Sequence, residues 1–136
     1  MLTLFYAGAL TLLGIVLATI TGRQRLKTKI SLGLGEDLGM LKITRAHGNL
    51  IENAVFFLIL SALLELLVKI PSIATAIMGD IFVLSRIAHA YGITRPDATS
   101  VFRSVGIGGT ILVLLTQSIW AMYSSLEWLI NNNWGL

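Results

Sequence analysis

Arg45, Asn49 and Glu52 are spaced i, i+4 and i+7, so at about 100° per residue they share one narrow helix face. That stripe offers a cation, an amide and a carboxylate, a set suited to a ligand carrying both charges, such as a small peptide. A polar network between helices, or residues wetted at a membrane interface, would give the same spacing, and spacing alone weighs the two evenly. Arg86 and His89 stand at i, i+3, and Ser104 directly follows Arg103. An arginine presents a rigid fork of donors to carboxylates or a developing anion, and a hydroxyl beside it can donate to a thiolate or oxyanion. The plainer reading of Arg103-Ser104 is an interfacial anchor with a helix N-cap. The chain has two histidines and no cysteine. Neither His47 nor His89 has the convergent partners a metal needs, so no metal site is expected. Neither has a visible third group to orient it as the base of a Ser–His hydrolase.

These residues must be held by elements that suit an unusual composition. Of 136 residues, 55% are hydrophobic and 12% charged, against about 25% charged in ordinary soluble domains. A soluble domain of this length still exposes about a third of its chain surface, too much for so apolar a sequence. Disorder requires the opposite composition, and the lack of cysteine excludes disulfides and thiol catalysis. An integral membrane protein remains.

The scarce charges divide the chain. Residues 1–22 and 104–126 carry none, and the apolar stretches around 51–64 and 71–93 are interrupted by Glu52, Asn53 and Ser61, and by Asp80, Arg86 and His89. At about 1.5 Å per residue against a hydrocarbon core of about 30 Å, these read as four transmembrane helices, over approximately residues 2–24, 40–68, 71–92 and 101–128. The expected fold is an all-α membrane protein, a four-transmembrane-helix bundle forming a single domain over 1–136. A β-barrel would need short alternating segments, and a cleaved leader would put its basic residues first, whereas here they follow. Gly33, Gly35 and Gly39 suit the first connection, Pro71 suits a helix start, and Arg95-Pro96-Asp97 reads as a turn. Gly106, Gly108 and Gly109 read as close helix packing.

Arg23, Arg25, Lys27, Lys29, Lys42 and Arg45 lie in or beside loop one, Arg95 and Arg103 flank loop three, and loop two holds only Lys69. The positive-inside rule therefore places loops one and three in the cytoplasm and both termini outside. The net charge of +3 reports orientation; the basic, aromatic-interleaved face of a nucleic-acid binder is missing. Asp80 is expected to face a partner helix or another subunit. Glu65 and Lys69, at i, i+4, are expected to form a structural pair.

The run Arg45-Ala46-His47-Gly48-Asn49-Leu50-Ile51-Glu52 resembles the second-helix signature of the MAPEG family, the membrane-associated proteins in eicosanoid and glutathione metabolism. Ile20-Thr21-Gly22-Arg23-Gln24-Arg25-Leu26 is similar to the end of the family's first helix, Ser85-Arg86-Ile87-Ala88-His89 to its third-helix motif, and Arg103-Ser104 to the start of its fourth. The resemblance covers nearly the whole chain. It implies a homotrimer in a lipid bilayer, with glutathione as co-substrate bound between subunits near the cytoplasmic face. On that resemblance Arg25, Arg45, Asn49, Glu52, Arg86 and His89 hold glutathione, Arg103 stabilises its thiolate, and Ser104 donates to it. A lipophilic small-molecule electrophile or peroxide would arrive from the bilayer. Ile93 and Ile107 stand where eicosanoid-producing relatives carry tyrosines, and Tyr91 is two residues too early to substitute. The pattern is closer to compact bacterial members, which implies a bacterial inner membrane. The rival function is a non-catalytic, lipid-presenting protein of the same fold. A small transporter subunit would need a polar path through the whole membrane, and most polar residues here cluster at one end.

Overall fold

The computed structural model describes residues 1–95 and 100–135; Pro96 and Asp97 of the expected turn lie outside them. Four helices cross the molecule: α1 (Leu2–Thr28), α2 (Leu38–Leu63), α3 (Ser72–Thr94) and α4 (Val101–Asn131). A π-helical turn, Leu64–Val68, extends α2, and no strand occurs among the described residues. All four are long and apolar enough to span a bilayer, the second counted through Val68. The protein is thus a multi-pass membrane bundle.

The helix ends follow local chemistry. α1 continues past residue 24 through its basic segment, because arginine and lysine are good helix formers. It stops where Lys29 turns left-handed at φ 56°. The Asp37 side chain accepts from the Met40 amide and starts α2. Ser100 does the same for α4, accepting from the Arg103 amide at 3.4 Å. The N-cap of α4 is therefore Ser100, and Ser104 lies inside the helix with its side chain exposed.

At the end of the bundle that holds loop two, Glu65 accepts from the amides of Leu2 and Thr3 at 3.1 and 3.0 Å, and it pairs with the Met1 amino group. This corrects the expected Glu65–Lys69 pair. Lys69 takes a left-handed conformation at φ 57° and closes the π turn, which removes it from the i, i+4 geometry of a continuous helix. The first amides of α1 lack intrahelical acceptors, and the carboxylate satisfies two of them.

Phe57 of α2 stacks on Phe82 of α3, with ring centroids 4.0 Å apart, and Tyr6 of α1 meets Phe57 edge-on at 6.4 Å. The Tyr6 hydroxyl reaches the Asp80 carboxylate at 2.8 Å and the Ala76 carbonyl at 2.9 Å. The partner of Asp80 thus comes from α1 of the same chain. A Cβ on Gly79 would fall 2.1 Å from the Tyr6 ring, so only glycine lets the tyrosine reach. Deeper in the bundle, Gln117 of α4 donates to the Ser61 hydroxyl of α2 at 2.7 Å, and both are buried.

The closest helix pair is α3 and α4. A Cβ on Gly106 would stand 2.6 Å from the His89 nitrogen and the Ser85 carbonyl; one on Gly109 would stand 2.1 Å from the Ser85 hydroxyl. Gly108 faces open space, so two of the three expected packing glycines do this work. The absence of a side chain brings the α4 backbone against α3, and that contact positions the polar residues described next.

Candidate functional site

The polar residues gather at the end of the bundle that holds loops one and three, here called the basic end. α3 turns Phe82, Ser85, Arg86 and His89 inward. Arg86 is the hub: 2% exposed, it donates from Nη1 to Asn49 Oδ1 of α2 at 2.5 Å and from Nη2 to the Gly106 carbonyl of α4 at 3.0 Å. The Phe82 ring lies 6.0 Å from the guanidinium carbon. A buried arginine is costly unless its donors find partners; here Nη1 and Nη2 find them and tie three helices together, while the buried Nε makes no hydrogen bond with the described residues. The Gly106 carbonyl also accepts from the Thr110 hydroxyl, at 2.8 Å.

His89 lies one turn further toward the basic end, 4% exposed, within electrostatic reach of both Arg86 and Arg103. Its Nδ1 makes no hydrogen bond. Arg103 sits in the first turn of α4, where the helix dipole adds to its positive charge. Its backbone packs on Gly92 of α3, where a Cβ would come within 2.4 Å of the Arg103 nitrogen. The Ser100 hydroxyl fastens this junction by donating to the Gly92 carbonyl at 3.2 Å.

The remaining candidates fall in different places. Arg45 and Glu52 are exposed on the outer face of α2 and make no hydrogen bond or ion pair with the described residues, and Asn49 between them is half-buried. Ser104 is exposed on α4. Arg25 reaches into loop one, where its Nη1 donates to the carbonyls of Gly33 at 3.1 Å and Ile30 at 3.4 Å. Gly33, at φ 74°, takes a turn that favours glycine. The chain therefore joins Asn49, Arg86, His89 and the start of α4. It leaves Arg45, Glu52 and Ser104 facing outward and spends Arg25 on its loop.

Sequence reasoning missed the Gly106 carbonyl, Gly92, Ser85 and Ser100. A main-chain acceptor leaves no mark on residue type, although the glycines of α4 did carry a packing signal. Tyr91 lies outside this cluster, stacked edge-on with Phe102 at 5.3 Å and covered by the Arg95 guanidinium at 4.3 Å. A cavity of about 840 Å³ lies at the other end of the bundle, lined by Leu63, Leu67, Ser125 and Trp128 among others. It is far from the charged cluster and shares no residue with it.

Chemically, the basic end offers two arginines and an amide around a buried imidazole, with a third cation, Arg45, and a carboxylate, Glu52, one helix face away. Such a set suits an anionic or zwitterionic ligand bearing a group that reacts as an anion. The sequence model of the MAPEG family matches residues 3–123. No curated protein and no solved structure matches the chain.

Proposed function

The chain belongs to the MAPEG family, and from that premise we propose that it is a glutathione-dependent membrane enzyme. It would join the glutathione thiolate to lipophilic electrophiles or use it to reduce lipid peroxides. The observation that carries the reading is the Arg86 hub, which ties Asn49 on the Arg45–Asn49–Glu52 face to the α4 backbone three residues after Arg103. A ligand-recognition face and a candidate thiolate-stabilising cation are thereby held in fixed relation.

The exposure of Arg45 and Glu52 supports a second element of the proposal, a homotrimer. Charged groups on a membrane-spanning helix are costly against lipid and face a bundle interior, a wet cavity or a partner. In a trimer their outer face would meet a neighbouring protomer, and glutathione would bind between the two. Arg45 would meet a carboxylate and Glu52 the amino group. Arg103 would lower the thiol pKa from about 8.5, with Ser104 as an added donor. The thiolate sulfur then attacks the electrophilic carbon as its leaving group departs with the bonding pair. With a hydroperoxide it attacks the terminal oxygen, the O–O bond breaks and the alkoxide leaves as the alcohol on protonation, and a second glutathione thiol then displaces water from the sulfenic acid to give the disulfide. Loops one and three would face the cytoplasm, where glutathione is plentiful, and the apolar substrate would enter sideways from the bilayer.

The test is glutathione binding to the detergent-solubilised protein by calorimetry, followed by conjugation of an electrophilic chromophore. The expected result is saturable binding and turnover, with turnover falling at least about a hundredfold in Arg103→Ala, as for loss of a single anion-stabilising donor. Binding without turnover would move the protein to the lipid-presenting alternative. Absence of binding would end the glutathione reading.

A further inference from the structure

The contact between Arg86 and Asn49 settles more than the spacing of two helices. A guanidinium has five N–H donors and no acceptor. The atom of Asn49 that faces it, 2.5 Å from Nη1, is therefore the amide oxygen. Arg86 is 2% exposed; its other terminal nitrogen is held by the Gly106 carbonyl, and its Nε is buried without a hydrogen bond to the described residues. The Asn49 amide is fixed in turn: among the described residues its hydrogen bonds use Oδ1 and the main-chain carbonyl, and neither donor of Nδ2 is engaged. Asn49 is half-buried on the face that carries exposed Arg45 and Glu52.

We propose that Arg86 is a positioning residue that locks Asn49 as a hydrogen-bond donor, so that the ligand group meeting Asn49 is an acceptor, a carboxylate or an amide carbonyl. This rests on the glutathione reading above for the identity of the ligand, though not for the orientation of the amide. It also revises the role implied for Arg86 by resemblance: the guanidinium acts through Asn49 and does not touch the ligand. Selectivity follows along the α2 face. Arg45 and Asn49 both demand acceptors, and Glu52, a turn further on, demands a donor, so the face reads the ligand's polarity in order along the helix. A peptide whose acceptor at Asn49 is replaced by an ammonium would be rejected, because the lock leaves no oxygen to receive it.

The experiment uses the full-length solubilised protein, glutathione as probe, calorimetric affinity and thermal unfolding midpoint. In Asn49→Asp a carboxylate faces Arg86, so the midpoint holds or rises. The same change removes both outward donors and sets a negative charge against the ligand's acceptor, and glutathione affinity falls at least about tenfold. Asn49→Leu loses both affinity and midpoint. If Asn49→Asp lowers the midpoint as far as Asn49→Leu, or if it binds glutathione like the parent, the proposal is overturned. A cycle with Asn49→Ala separates positioning from contact. Arg86→Met should weaken glutathione binding in the parent but change it less than about twofold in Asn49→Ala. An equal loss in both backgrounds would mean that Arg86 touches the ligand itself. Where Arg86→Met does not fold, Arg86→Lys, which keeps the charge but not the fork, serves in the same cycle. Should the parent protein fail to bind glutathione, the functional reading falls, while the midpoints of Asn49→Asp and Asn49→Leu still decide the amide's orientation.

Discussion

Replacing Gly106 by alanine tests the α3–α4 junction on which the site is built. The new Cβ would stand 2.6 Å from the His89 nitrogen and the Ser85 carbonyl, and 2.8 Å from the His89 Cβ. The first two are backbone atoms, so relief requires the helices to separate. Overpacking of this kind costs about 1–3 kcal/mol. Separation also draws the Gly106 carbonyl away from Arg86 Nη2, now 3.0 Å distant. A lost hydrogen bond to a buried charged group adds about 1.5–3 kcal/mol, for a combined loss of about 2.5–6 kcal/mol. Gly108, two residues on, has nothing within 4 Å of its Cβ position. The same substitution there removes a glycine from a helix interior and should be neutral or stabilising by up to about 1 kcal/mol. Thermal unfolding of both variants in one detergent reads the difference directly, with glutathione affinity as a second readout that only Gly106→Ala should lower. Equal midpoints for the two variants would refute the claim that close backbone contact at Gly106 holds the Arg86 hub in place.

Other regions give independent expectations. Gln117→Leu should destabilise by about 1–2 kcal/mol, because it strands the buried Ser61 hydroxyl. Adding Ser61→Ala should recover most of that loss, since removing both partners is close to neutral; the unfolding midpoints of the two variants and the parent check it. Tyr6→Phe should cost about 1–3 kcal/mol by removing the donor to Asp80, and Asp80→Asn, which keeps an acceptor, should cost less. Because the chain has no cysteine, single cysteines at Ser31 and Asn132 can be labelled from one side of sealed cells. An impermeant thiol reagent should reach Asn132→Cys and spare Ser31→Cys, and the reverse pattern would invert the proposed topology.

The helices were legible because hydrocarbon is a demanding solvent: an uncharged run of spanning length, as in 1–22 or 104–126, admits few structures. Their ends were less so. α1 ran on through Arg23, Arg25 and Lys27 because helix propensity, not apolarity, decides where a helix stops outside the membrane. Glu65 and Lys69 looked like a helical pair until a π turn and a left-handed Lys69 separated them, and no residue type announces a π turn. Within the candidate site, the shared face of Arg45, Asn49 and Glu52 followed from helical period alone. The junction of Asn49 with Arg86 did not, because it depends on how two helices rotate against each other and on the Gly106 carbonyl, which carries no sequence signal. Ser104 seemed a helix cap by position, but Ser100, four residues earlier, had the geometry to accept from the Arg103 amide.

In the proposed function, glutathione binds at the basic end with its sulfur held as the thiolate beside Arg103. The most direct measurement is the ultraviolet absorbance of thiolate on mixing glutathione with the solubilised protein at neutral pH, compared between the parent and Arg103→Ala. The parent should give a saturable thiolate signal that is lost in Arg103→Ala, while calorimetry still detects glutathione bound through Arg45, Asn49 and Glu52. No thiolate signal in a parent protein that binds glutathione, or an undiminished signal in Arg103→Ala, would contradict it.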